Sequence, residues 1–88
     1  MAYHYETSIL MAALGDPTRR SIVECLGKSP SNVRHIADRL PVTRPAVSQH
    51  LKVLLNSGIV TFEPVGTQRV YRLEPAAIAA LRDWCDKL

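Results

Sequence analysis

Between Val33 and Gly58 two apolar patterns of helical period stand three residues apart, and no other stretch of the chain restricts its fold as strongly. Val33, Ile36, Ala37 and Leu40 occupy i, i+3, i+4 and i+7, with Ser31 or Asn32 placed to cap the helix. Pro41 ends it, because the residue before a proline is pushed out of the α region. Pro41-Val42-Thr43 is then the whole turn. Thr43 caps a second helix from Arg44 to Ser57, which tolerates Pro45 in its first turn and buries Val47, Leu51, Leu54 and Leu55 until Gly58 stops it. So short a link leaves the two helices packed across each other as helix, turn, helix.

The flanking segments predict a frame around this pair. Asp16-Pro17 opens a capped helix with Ile22, Val23 and Leu26 on its apolar face and Gly27 as its stop. Ahead of it, Ile9, Leu10, Ala13 and Leu14 predict a first helix over about 5–14. After Gly58 the period changes. Ile59 to Glu63 and Gln68 to Leu73 are rich in β-branched and aromatic residues, and Pro64-Val65-Gly66-Thr67 separates them as the turn of a hairpin. A last helix begins near Pro75 and carries Ile78, Leu81, Cys85 and Leu88 as a narrow seam, suited either to packing between subunits or to an intramolecular core stripe.

An 88-residue chain has room for one domain, residues 1–88, and little for a buried catalytic cleft. A domain this small buries only about 60% of its unfolded surface, so help from a partner subunit is expected. The net charge is +3, but from Arg34 to Arg72 six cations face two carboxylates, giving +4 and leaving −1 elsewhere. The basic excess lies mid-chain, where one face can meet a polyanion or be merely solvated. Met1 to Glu6 holds no Lys or Arg, and the apolar run from Ile9 to Leu14 is too short to span a membrane or serve as a signal peptide, so a cytoplasmic protein without a membrane partner is expected.

Site chemistry beyond binding has little support. Cys25 and Cys85, 60 positions apart, form no metal-ligand pair and point to a reducing interior. His4, His35 and His50 are scattered, which argues against a metal site. The chain has no G-x-S-x-G, P-loop or glycine-rich phosphate cradle. It reads as a non-enzyme with no cofactor and no evident small-molecule substrate. Cys25 and Cys85 each lie at or beside an apolar helical stripe, as inert core thiols do. The alternative is a reversible disulfide joining the second helix to the last, which would alter the geometry of a dimer.

The helix from Arg44 to Ser57 carries the strongest functional signal. With Val47, Leu51 and Leu54 turned inward, the opposite side holds Pro45, Ser48, Gln49 and Lys52, with Arg44 at the N-terminal edge beside Thr43. Short side chains permit close approach to a DNA major groove, Gln can bond adenine, Arg can bond guanine, and Lys finds phosphate. A polar helix face with no ligand is the plainer alternative. His50, at the border of the buried side, suits packing or a phosphate contact better than base reading. The hairpin tip Gly66-Thr67-Gln68-Arg69 offers a flexible backbone, two hydrogen-bonding side chains and a cation for the DNA backbone or minor groove, unless Arg69 and Arg72 serve only to keep an edge strand from pairing.

Two separated blocks carry a family resemblance. Ala13-Leu14-Gly15-Asp16-Pro17-Thr18-Arg19-Arg20 and Thr43-Arg44-Pro45-Ala46-Val47-Ser48-Gln49-His50-Leu51-Lys52-Val53-Leu54, continued by Gly58-Ile59-Val60 and by Gly66 to Leu73, resemble the ArsR family of bacterial winged-helix repressors over almost the whole chain. The resemblance implies a mainly α winged helix-turn-helix with a β-hairpin wing, in the order α-α-α-α-β-β-α. It implies a homodimer built from the terminal helices, about 5–14 and 75–88, that binds an inverted repeat in double-stranded DNA and blocks transcription. Matching positions assign DNA reading to Arg44, Pro45, Ser48 and Gln49, and a wing contact to Arg69. With the helix wheel and hairpin tip, the candidate DNA-binding set is Thr43, Arg44, Pro45, Ser48, Gln49, Lys52, Thr67, Gln68 and Arg69. Many members sense metals through cysteines in the third helix or through His and carboxylates in the last. Here Ser31 to Arg34 holds no thiol, and the last helix offers Asp83 and Asp86 but no His, so no metal is expected. Some relatives sense oxidants or sulfur species through one Cys in the second helix and one in the last, and Cys25 and Cys85 lie in comparable helices. Two alternatives to a constitutive repressor follow: a thiol-responsive one using these cysteines, or a winged helix that binds protein, which an apolar or acidic reading face would favour.

Overall fold

The computed structural model describes residues 5–88; the readings made on Met1 to His4 lie outside the described residues. The elements are α1 (Thr7–Ala13), α2 (Pro17–Lys28), α3 (Val33–Arg39), α4 (Arg44–Ser57), β1 (Val60–Val65), β2 (Gln68–Leu73) and α5 (Pro75–Asp86). This is the predicted order, mainly α with one antiparallel hairpin.

Three helices start on side-chain caps. Asp16 accepts from the N–H of Arg19, Asn32 from that of His35, and Thr43 from that of Ala46. Asn32, not Ser31, is thus the α3 cap. Ser31 instead exchanges both backbone hydrogen bonds with Tyr71, at 3.0 and 2.9 Å, and so adds a one-residue third strand beside β2. The Asp16 to Arg20 block also holds α1. Arg19 Nε donates to Ala13 O at 2.6 Å and Arg20 Nη1 donates to Leu14 O at 2.7 Å, satisfying carbonyls that the end of α1 leaves free.

The structure departs from the sequence reading at the end of α2, at the hairpin turn and on the face of α5. Gly27 does not stop α2, which runs on through Lys28 to an extended Ser29. The breaker is Pro30, which bars its predecessor from the α region. The hairpin turn is two residues, not four, because Val65 pairs with Gln68 and Pro64 with Arg69. Of the two turn residues Gly66 has positive φ (64°) and Thr67 does not, as a type II′ turn requires of its first and second central residues. Pro64 is tolerated because β1 is the outer edge of the sheet. On α5 the seam is not the core stripe. Ala77 and Ala80 face inward, Ile78 and Leu81 are half-buried, and Cys85 and Leu88 are exposed.

The core gathers at the centre of the helix-turn-helix. Val47, Leu51 and Leu54 of α4 are sealed from solvent among Ile22 of α2, Ile36 of α3, Leu10 of α1 and Ile59. Helix α4 packs against α1, α2, α3 and β1, and is therefore the axle of the molecule. Leu55, predicted in its buried stripe, is only partly covered. Gly58 closes α4 in the left-handed region at φ 87°, and a Cβ there would stand 2.9 Å from a ring carbon of Tyr5.

Candidate nucleic-acid interface

The packing of α4 decides which of its side chains meet solvent. With Val47, Leu51 and Leu54 locked inward, Arg44, Pro45, Ser48, Gln49 and Lys52 are all exposed. Pro45, Ser48, Gln49 and Lys52 line one shallow concavity along the outer face. Thr43 is committed as the cap, its Oγ1 accepting from Ala46 N at 3.2 Å, so its hydroxyl proton and one lone pair are left for a ligand. The predicted face therefore exists as one continuous surface, positive at its N-terminal end and in its middle.

The wing stands next to this helix. Phe62 and Tyr71 pair across the hairpin with ring centroids 5.5 Å apart, and Tyr71 is buried, which anchors the wing's base to the domain. The Arg69 guanidinium lies 4.4 Å above the Phe62 ring, held near the tip by a cation–π contact. Arg72 pairs with Glu63 across the exposed hairpin. Gln68 Oε1 accepts a hydrogen bond from Asn32 Nδ2 at the start of α3, which leaves the Nε2 donors of Gln68 for a ligand.

This bond closes one side of a cleft of about 370 Å³ between α3, the N-terminus of α4 and the wing tip. Arg34, Arg44, Thr67 and Arg69 line it with Asn32 and Gln68. Asn32 and Arg34 were not among the predicted site residues. Arg34 was legible only as part of the mid-chain charge excess, and Asn32 only as a cap.

Elsewhere the candidates separate. Both cysteines are free thiols; Cys25 is buried, with Arg39 Nη1 at 3.8 Å from its sulfur, whereas Cys85 is exposed on α5. The core-thiol reading holds for Cys25 and fails for Cys85. His50 is half-buried on α4 and lies near enough to Asp16 to act on its charge. The Asp16 carboxyl is held below its ordinary value chiefly by the N–H of Arg19, with smaller help from His50 and from the N–H of Thr18. Among the described residues no three His, Cys, Asp or Glu side chains come together, and no helix is long and apolar enough to cross a membrane.

A helix-turn-helix whose second helix offers a small, polar, cationic face, followed by an arginine-tipped hairpin, defines a winged helix-turn-helix transcriptional regulator. Comparison with known proteins agrees. Residues 16–61 match the model of the bacterial regulatory protein ArsR family. The HTH-type transcriptional regulator Rv2034 of Mycobacterium tuberculosis is 55% identical over 85% of this chain and 70% of its own length. The transcriptional repressor SmtB of the same organism is 45% identical over 73% of this chain, which spans 47% of that relative. Among solved structures, the homodimeric winged helix-turn-helix DNA-binding domain from Mycobacterium bovis superposes with a TM-score of 0.76 at 25% identity, over 92% of this chain and 79% of that one. The chain belongs to the ArsR family of bacterial regulators. Membership agrees with the expected fold, and its relatives are regulators, not enzymes.

Proposed function

We propose that the protein is a homodimeric repressor that binds an inverted repeat in promoter DNA and needs no metal to do so. The observation that carries this reading is the face of α4. Arg44, Pro45, Ser48, Gln49 and Lys52 are exposed together while the opposite stripe is fully buried, so the helix can enter a major groove without disturbing the core. Arg44 and Gln49 read bases, Ser48 and Pro45 permit close approach, and Lys52, Thr43, Thr67 and Arg69 meet the backbone. That face is neither apolar nor acidic, which disfavours a protein partner in the same place. Support for the dimer comes from α1 and α5, which pack on each other and leave Ile9, Met11, Trp84 and Leu88 exposed. A homodimeric relative of the same fold adds to it.

Fluorescence anisotropy on the DNA upstream of the protein's own gene, run across a salt series, tests the reading. If six to eight phosphates are neutralised per dimer, log K should fall against log salt with a slope of roughly −5 to −7. A slope near zero, or equal affinity for every duplex, rejects it. Zinc or a chelator should leave the affinity unchanged. The same titration with and without reductant decides whether Cys25 and Cys85 control binding, since a redox-independent constant retires thiol sensing.

A further inference from the structure

We propose that Arg34, with Arg69, seats one stretch of DNA backbone in the cleft between α3 and the wing, and that the bond from Asn32 to Gln68 is the latch that holds the wing over it. This inference rests on the DNA-binding reading above and extends it to a helix that the base-reading face does not include. The cleft wall carries three guanidinium groups and no carboxylate. Arg34 and Arg44 are exposed, and among the described residues neither forms an ion pair within the protein. Among the described residues Arg69 is held by the face of Phe62 alone, which leaves its N–H groups in the ring's periphery to donate. The planar forks of Arg34 and Arg69 on an open cleft match the shared negative charge of adjacent phosphates, where Arg binds in bidentate fashion, while Arg44 is left to read bases.

The latch follows from the two ends of one amide. Asn32 Oδ1 accepts from His35 N at 2.8 Å, which fixes the side chain as the α3 cap, and Nδ2 then points to Gln68 Oε1 across 36 residues of sequence. At the base the wing is tied to the same segment by the Ser31–Tyr71 backbone pair. Two neighbouring residues therefore hold the hairpin at its base and near its tip, and so fix the distance from Arg69 to Arg34. Gln68 accordingly positions the wing through Oε1 and keeps its Nε2 donors for DNA.

Two variants in the full chain separate these parts. Arg34→Gln should make the salt slope shallower by about 1.8 per dimer, since each protomer then neutralises one phosphate fewer, on specific and unrelated duplexes alike. Arg34→Lys should restore most of that slope. Asn32→Ser keeps a capping oxygen for α3 but is too short to reach Gln68. It should weaken DNA binding several-fold in the parent, yet have no further effect where Arg69 is already Ala, because the latch acts through Arg69. An unchanged slope in Arg34→Gln overturns the phosphate seat, and equal weakening by Asn32→Ser in both backgrounds overturns the latch. Unchanged thermal melting of both variants assigns the weaker binding to the interface. If the parent protein itself binds no duplex in a salt-dependent way, it is the underlying DNA-binding reading that has failed.

Discussion

Gln49 and Arg44 stand on the exposed side of α4, whereas Arg69 sits on the wing against Phe62. Side chains that reach base edges carry sequence information, and those that meet phosphate do not. Replacing Gln49 or Arg44 with Ala should therefore relax base preference at one position and cost about 1 to 3 kcal/mol on the preferred site. Arg69→Ala should weaken preferred and unrelated duplexes by the same factor. Competition binding against a panel of single-base operator variants separates the two patterns. Asp16 supplies a second test at this scale. Hydrogen bonding from the N–H of Arg19, aided by His50, holds its folded-state pKa below that of the unfolded chain. The carboxylate's contribution to stability is then fully present above the unfolded value, about 3.9, and is lost as the pH falls through the lower folded value. Asp16→Asn retains a capping oxygen but no charge. Chemical denaturation from pH 5 to about pH 2 should show the parent's advantage over this variant shrinking with acid, and a constant difference would mean that the charge is irrelevant.

Helix α4 is the element whose placement everything else depends on, and Gly58 fixes where it ends. Any side chain there meets two penalties, a left-handed backbone at φ 87° and a Cβ 2.9 Å from Tyr5. Gly58→Ala should cost about 1 to 3 kcal/mol, read as a lowered denaturation midpoint with an unchanged slope. The Gly58 stop, the Thr43 cap and the Val47, Leu51, Leu54 stripe were all legible in sequence, because each is a local rule expressed within one or two turns. What was not legible depended on competition or on distance. Gly27 resembled a stop, but a glycine only permits a helix to end while Pro30 compels it. On α5 the large apolar residues suggested the buried seam, yet the positions facing the core are Ala77 and Ala80, which no hydrophobic period of large side chains marks. The Asn32–Gln68 bond had no signal, because two polar residues 36 apart leave no periodic trace.

At the scale of the molecule the unfinished surface is the one formed by α1 and α5. Ile9 is 52% exposed, Trp84 39% and Leu88 89%, on or beside two helices that already pack on each other. A two-fold pairing of these helices would cover that surface with its own copy, and would set the two α4 helices for successive major grooves about 34 Å apart. Trp84 is the residue on which such an interface should depend most, because covering its large ring removes the most apolar surface from water. Trp84→Ala should weaken dimerisation by about 2 kcal/mol or more, a roughly 30-fold rise in the dissociation constant measured by sedimentation. Cys85, next to Trp84 and exposed in the protomer, supplies an internal reporter. Its reaction with a water-soluble thiol reagent should slow as protein concentration rises through the dimer range, while buried Cys25 stays slow throughout. In Trp84→Ala the Cys85 rate should stay fast to higher concentration, and the DNA titration should turn from one cooperative step into independent binding of half-sites. Cys85 labelling that ignores protein concentration would place the subunit contact elsewhere, and with it the spacing between the two reading helices.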